Sequence, residues 1–413
     1  VDDQGNPLPV QVLAGDENRG DTVQVAIAVE DIPSVGYRFI PFASVGDTAP
    51  GTTARVESHG ATLTLANGAV EIVVDRSTGD ISHLRDLARG TDWGRTGLGA
   101  IRAVPEIGND VTLRIDPDAE SVPSEFVAVD IAEEGPLFTS LRIERRILGA
   151  PVEQTIALWH DGHVEFETRM HWWGAHNWQL RMALPTAGSL EDIAYGSPFY
   201  GSAWPDVPVE AAPRNRDEIL VEDYIRYREV QEWLHLRDGD AGLVLVTTHP
   251  GFCHIDNGLE AVLLRTSPSC GDTRYFWGNA GEQVYRFSLY PAGPDWKTEG
   301  AIALAQRRLC LPAGRFLEST GGGSLPDSQS FLAVESPSAV LSSVSANVET
   351  GALDIRVFEA QGIESPISLA GPLVERRGTK TELVDLRGHP AAGTDHDPQV
   401  LPAWRIQTYS ATR

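Results

Sequence analysis

Hydrophobic and polar residues alternate over much of the chain. In "HVEFETRMHWW" (163–173), Val164, Phe166, Thr168, Met170 and Trp172 fall on one side of an extended strand, and Glu165, Glu167, Arg169, His171 and Trp173 on the other. After Gly174-Ala175-His176-Asn177, "WQLRMALP" resumes the alternation, with Trp178, Leu180, Met182 and Leu184 opposite Gln179 and Arg181. The pattern predicts a β-hairpin with HWWGAHNWQL at its end, Trp172 and Trp178 in the core, and His171 and His176 outside it. A turn between the two histidines gives no reason for both imidazoles to aim at one ion.

The same signal recurs in "TVQVAIAV", "AVEIVVD", "SLRIERRI", "EQTIALW", "GLVLVTT", "EAVLLRT", "VYRFSLYP" and "ALDIRVFEA", separated by turn sequences such as "RSTGD", "DGDAG" and "ETGA". The chain is expected to be all-β. One helix is predicted, in "TEGAIALAQRRLCLP" (298–312), as a connector. Small and turn-forming residues at 41–54 and the Gly/Ser-rich run 318–330 read as breaks. They divide the chain into a short N-terminal β piece (1–54), a large central β unit (55–320) and a C-terminal β-sandwich (321–413). No internal repeat of solenoid or propeller period is present.

Composition narrows the function. At 413 residues and 41% hydrophobic, the chain can bury more than one core, and its net charge of -25 argues against nucleic acid and anionic membranes as partners. A neutral or cationic ligand fits better. Three scattered cysteines, Cys253, Cys270 and Cys310, form neither a disulfide framework nor a metal motif, which favours a reducing, cytoplasmic setting. No apolar run is long enough to span a bilayer, and the start "VDDQGNPLPV" is neither a signal peptide nor an initiator Met, so the chain reads as a fragment. Nothing in the sequence sets the oligomeric state, and a homo-oligomer is allowed.

Candidate chemistry is sparse. Glu165 and Glu167 share a face about 6 to 7 Å apart, within the spacing of glycosidase carboxylates, but they alternate with Arg169 on a face that reads as solvent, facing Arg181 on the returning strand. His254 and Asp256 could form half of a metal site, yet they run into Asn257-Gly258, a strong hairpin signal between the strands "GLVLVTTHPGFCHI" and "LEAVLLRT". "HPAAGTDHDP" (389–398) reads as a solvated loop. No nucleophile elbow, Walker loop or dinucleotide fingerprint is present. "DIAYGSPFYGSAWPDVP" (192–208) reads as a long loop whose Tyr195, Phe199, Tyr200 and Trp204 suit stacking on sugar faces, or packing on one another. Arg265 ends an apolar strand just before a Ser/Pro/Gly loop, within reach of ligand or solvent.

In order along the chain, "QGNPLPVQV", "LANGAVEIVVDRSTGDISHLRDLARGTDW", "EEGPLFTSLRIERRILGAPVEQTIALWHDGHVEFETRMHWWGAHNWQLRMALP", "AYGSPFYG" and "LHLRDGDAGLVLVTTHPGFCHIDNGLEAVLLRTSPS" resemble the C-terminal, non-barrel half of glycoside hydrolase family 38, the α-mannosidases. The resemblance implies a galactose-mutarotase-like supersandwich followed by a smaller C-terminal β-sandwich. It also implies an N-terminal α/β barrel, absent before Val1, holding the zinc ligands, the aspartate nucleophile and the acid/base carboxylate. No zinc is expected in this chain, and the chain alone is expected to be inactive. The family's β half lends a Tyr and an Arg to the rim of the α-mannoside site; by block position these are Tyr195 and Arg265, with Tyr200 as rival to Tyr195. Two readings follow: the β part of a retaining, zinc-dependent α-mannosidase that packs on the missing barrel, or a stand-alone, non-catalytic carbohydrate-binding or structural β protein. A mutarotase-type epimerase would need a His acid and a Glu base facing one cavity, and no such pair can be assigned.

Overall fold

A computed structural model of the chain describes every residue except 1–6, 14–23, 42–52, 96, 108–114, 117, 186–191, 205–226, 256–257, 269–278, 316, 318–322, 376–379, 391–396 and 413. It is all-β, as the alternation predicts. The two largest sheets are antiparallel. One has nine strands, in spatial order Glu125–Glu134, Phe138–Ile147, Ala150–Trp159, Val164–Trp172, Gly281–Ala292, Ala241–Thr247, Trp233–Asp238, Ile193–Ser197 and Tyr200–Ala203. The other has six: Val122–Pro123, Ile101–Pro105, Trp178–Ala183, Gly258–Arg265, Gly251–Ile255 and Tyr227–Glu229. A five-stranded sheet, Arg55 to Asp92, adds Leu65, Ile72 and Ile81 to the core that the two large sheets share.

Burial explains the patterns. Along Val164–Trp172 every second residue is buried, so one sheet face packs and the other meets solvent. Along Ala241–Thr247 all seven are buried: Leu243 and Leu245 enter the shared core, while Val244 and Val246 meet a second core behind the sheet. That second core is built on the helix Ala301–Leu309, whose Ala301, Ile302 and Ala305 pack with Trp233 and with Val340 and Phe358 of the C-terminal unit. The connector read in the sequence is thus a wedge between two β units.

The C-terminal unit is a small sandwich. Its four-stranded sheet, Ala339–Ala346, Leu353–Glu359, Ile406–Thr412 and Lys380–Val384, packs Ile355, Val357 and Tyr409 against Leu332, Ile367 and Leu401. Gly36–Arg38 pairs with Ser328–Ser330, so the end of the 318–330 run is a strand and not a linker. Near the N-terminus, the Gln11 side-chain carbonyl accepts the Leu137 and Phe138 N–H groups, each at 3.0 Å.

Three expectations are corrected. HWWGAHNWQL is not the end of a hairpin: Val164–Trp172 pairs within the nine-stranded sheet, and Trp178–Ala183 pairs with Ile101–Pro105 and Gly258–Arg265 in the six-stranded one. The segment crosses between sheets, turned by Gly174 (φ 85) and Asn177 (φ 65). "GLVLVTTHPGFCHI" likewise splits into two strands, one in each sheet. Finally, the 192–208 run is not a loop over its described part. Ile193–Ser197 and Tyr200–Ala203 form a tight hairpin at the edge of the nine-stranded sheet. Its glycines are obligatory, because a Cβ at Gly196 would overlap the Gln231 carbonyl and one at Gly201 the Trp296 ring. Gly196→Ala should therefore lower stability by about 1 to 3 kcal/mol, the range for overpacking. A urea midpoint equal to that of the unsubstituted chain would refute it.

Candidate functional site

The six-stranded sheet has one apolar and one polar face. Ile101, Ala103, Leu180, Met182, Leu259 and Ala261 belong to the shared core. The intervening positions place Arg102, Glu106, Gln179, Arg181 and Glu260 on the other face. That face is not solvent: Gln179 is 0% and Arg181 2% exposed. The solvent-face reading of Arg181 is overturned, because its partner strand Gly258–Arg265 is buried on both sides.

Burial at this polarity requires partners, and they are present. Arg102 donates twice to Glu260, at 3.0 and 2.9 Å, and Arg181 lies 3.6 Å from the same carboxylate. Arg181 also donates to Gln179 Oε1 at 3.1 and 2.8 Å and to the Tyr227 hydroxyl. Arg95 donates to the Leu259 carbonyl at 2.9 Å.

Arg265 stands at the end of its strand. It is bidentate to Glu106, one of its two bonds measuring 3.3 Å, and the Glu106 side chain is 0% exposed while that of Arg265 is 23% exposed. Burial pushes the Glu106 carboxyl up, and Arg265 draws it partly back. The guanidinium is thus held by a buried carboxylate and remains partly exposed. Among the described residues here, the four arginines Arg95, Arg102, Arg181 and Arg265 outnumber the two glutamates Glu106 and Glu260.

The other expected contacts have different surroundings. Tyr195 is half-buried and meets the buried Trp204 edge-on, with ring centroids 5.9 Å apart. Trp204 lies 6.5 Å from the His254 ring. His254 pairs with Leu259, six residues and about 20 Å of strand from Arg265. Tyr200 is 45% exposed on the outermost strand and packs edge-to-face on Trp404, with centroids 4.8 Å apart.

The weaker candidates resolve. Glu167 pairs with Arg169 at 2.5 Å and Arg286 at 2.6 Å, and Glu165 pairs with Arg308, so both are held in structural ion pairs. The Ile255–Gly258 pairing forms the expected hairpin; His254 is buried, with its pKa lowered by desolvation and by nearby Arg95, while Asp256 lies outside the described residues. Most of the 389–398 cluster and Cys270 also lie outside them. Among the described residues, no three His, Cys, Asp or Glu side chains form a group that could hold a metal ion, and no helix is long and apolar enough to cross a membrane. Sequence reasoning missed Glu106, Gln179 and Tyr227. Strand Gly258–Arg265, apolar at nearly every position, was the available sign that its neighbours' polar residues are buried too.

A sequence comparison with curated proteins finds no match. Among solved structures, the fold superposes on a protein in the glycosyl hydrolase family 38 from Enterococcus faecalis with a TM-score of 0.78 at 14% identity, covering 99% of this chain and 52% of that one. An alpha-mannosidase from Enterococcus faecalis V583 superposes with a TM-score of 0.77 at 13% identity, over 99% of this chain and 50% of that one. The chain thus spans about half the length of these two structures. The family model for the glycosyl hydrolases family 38 C-terminal domain matches residues 65–269, a segment that includes both large sheets up to Arg265. Through that segment the chain carries a glycosyl hydrolase family 38 C-terminal domain.

Proposed function

We propose that this chain is the β-rich part of a retaining, zinc-dependent α-mannosidase, packing on a catalytic barrel that lies outside it and completing the α-mannoside site with Arg265, and to a smaller degree with Tyr195. The observation that carries the reading is the Arg265–Glu106 pair: a partly exposed guanidinium at a sheet end, held by a buried carboxylate. Such a group donates charge-assisted hydrogen bonds to a sugar hydroxyl without first being ordered. The retaining reaction needs two carboxylates about 5 to 5.5 Å apart across the glycosidic bond. Glu165 and Glu167 are tied up by arginines, and the resemblance to the family assigns the nucleophile, the acid/base and the zinc to the barrel. The described residues of this chain offer no zinc site.

The test is hydrolysis of a chromogenic α-mannoside. The chain alone should show no turnover, whereas the polypeptide that includes the barrel should be active and should lose about ten- to a hundredfold in kcat/KM on Arg265→Ala. Tyr195→Phe should cost less. Assays run well below each variant's melting temperature separate lost contacts from lost fold. Turnover by the chain alone would refute the missing-barrel reading, and unchanged kcat/KM would remove Arg265 from the site. The stand-alone carbohydrate-binding reading draws on a different feature, the exposed aromatic hairpin tip at Phe199 and Tyr200.

A further inference from the structure

The hairpin tip overhangs a cleft of about 290 Å³ where the nine-stranded sheet, the helix and the C-terminal sandwich meet. Phe199, Tyr200 and Phe358 form its aromatic walls, with Ser197, Glu232 and Gln306 as polar ones. We infer that this cleft is a second carbohydrate site, taking a single neutral sugar ring away from the Arg265 face.

Four observations converge. First, the exposed rings have packing partners: Phe199 meets Phe358 edge-on with centroids 5.3 Å apart, and Tyr200 meets Trp404 edge-on at 4.8 Å. Rings held this way lose little freedom when a ligand stacks on them. Second, Trp404 is itself anchored. The fully buried Glu359 carboxylate accepts the N–H groups of Gln361, Gly362 and Trp404 at 2.8, 2.7 and 2.9 Å.

Third, Phe199 (φ 58), Glu232 (φ 68) and Trp404 (φ 56) are all non-glycine residues in the left-handed region. Such conformations are strained for side chains with a Cβ, and two in the cleft's lining, with Trp404 packed on Tyr200 beside it, mark a place where the backbone has been bent to present side chains. Fourth, Gln306 donates to the Glu232 carboxylate, holding a planar polar pair opposite the rings. Aromatic rings that line a cleft together with amide and carboxylate groups are complementary to a pyranose, whose C–H face is apolar and whose rim carries hydroxyls. The volume lies at the bottom of the roughly 300 to 1,000 Å³ range of small-molecule sites, which suits one ring rather than a polymer. Glu232 and the net charge of -25 disfavour an anionic ligand.

The test uses this chain itself, so its outcome is independent of the barrel reading. Saturation-transfer NMR and calorimetric titration with methyl α-mannoside should show saturable binding. Tyr200→Ala and Glu232→Gln should each weaken it about tenfold or more, and glucuronate should bind at least tenfold more weakly than the neutral sugar. Both substitutions are at the surface of the cleft, and unchanged melting curves confirm that the variants fold. No saturable binding would overturn the site. So would affinity unchanged in both variants, or binding abolished by Arg265→Ala but kept in Tyr200→Ala, which would move the sugar to the six-stranded sheet. Equal affinity for glucuronate would overturn its neutral preference.

Discussion

Trp172→Ala should destabilise the chain by about 3 to 5 kcal/mol, the cost of emptying a large buried aromatic site. Trp172 is 1% exposed and ends a strand of the nine-stranded sheet with its indole in the core shared with the six-stranded sheet. A cavity there is lined from both sheets and cannot be closed by moving one loop. Trp178, the first residue after the crossing, is only partly buried, and its replacement should cost less. His171→Ala and His176→Ala remove exposed side chains and should cost about 0.5 kcal/mol or less. Urea unfolding of the four variants ranks them directly. Histidine variants as damaging as Trp172→Ala would mean that the crossing is held by its polar residues and not by its tryptophans.

Arg265→Ala should cost about 2 to 4 kcal/mol of stability at neutral pH, because it strands the fully buried Glu106 carboxylate; the partly solvated Arg265 side keeps the figure below that of a wholly buried pair. Burial already raises the Glu106 pKa, and without Arg265 the largest opposing influence is gone, so the folded-state value climbs further. A carboxyl whose folded pKa lies above its unfolded one binds its proton more tightly when folded. Its neutral form therefore stabilises the fold below the ordinary carboxylate range, and that advantage is lost as pH rises through the folded pKa. The deficit of Arg265→Ala relative to the parent should thus be small near pH 4 and grow towards pH 7. Glu106→Gln combined with Arg265→Gln, which leaves no buried charge, should recover most of it. A deficit independent of pH would mean that lost packing, not an unpaired carboxylate, dominates.

How much of this was legible follows from what alternation encodes. Parity is local: the spacing of Val164, Phe166, Met170 and Trp172 specifies which side chains share a face, and all four are buried. Partnership is not local. Nothing between Gly174 and Asn177 distinguishes a turn back onto the same sheet from a step to the facing one, since both need left-handed residues at the bend. Polar positions carry a second ambiguity. Gln179 and Glu167 look alike in sequence, but Glu167 meets arginines at the surface and Gln179 lies beneath a covered face. The arginines around Arg265 were hidden as well, because net charge averages over a chain whose arginines gather where two buried glutamates hold them. In sequence the aromatic hairpin reads as a loop because Gly196, Pro198 and Gly201 are turn signals, although two of them are there to let backbone and indole pass.

The crossing at His171–Asn177 is one of several, for the chain steps back and forth between the two large sheets from Ile101 to Ala292. Neither sheet is therefore encoded by a continuous stretch, and neither can form ahead of the other from a growing chain. Assembly waits for pairings such as Val164 with Leu289, which close loops of more than a hundred residues. Folding should accordingly be slow and late, completed only when the last strand, Gly281–Ala292, has slotted between neighbours laid down long before it.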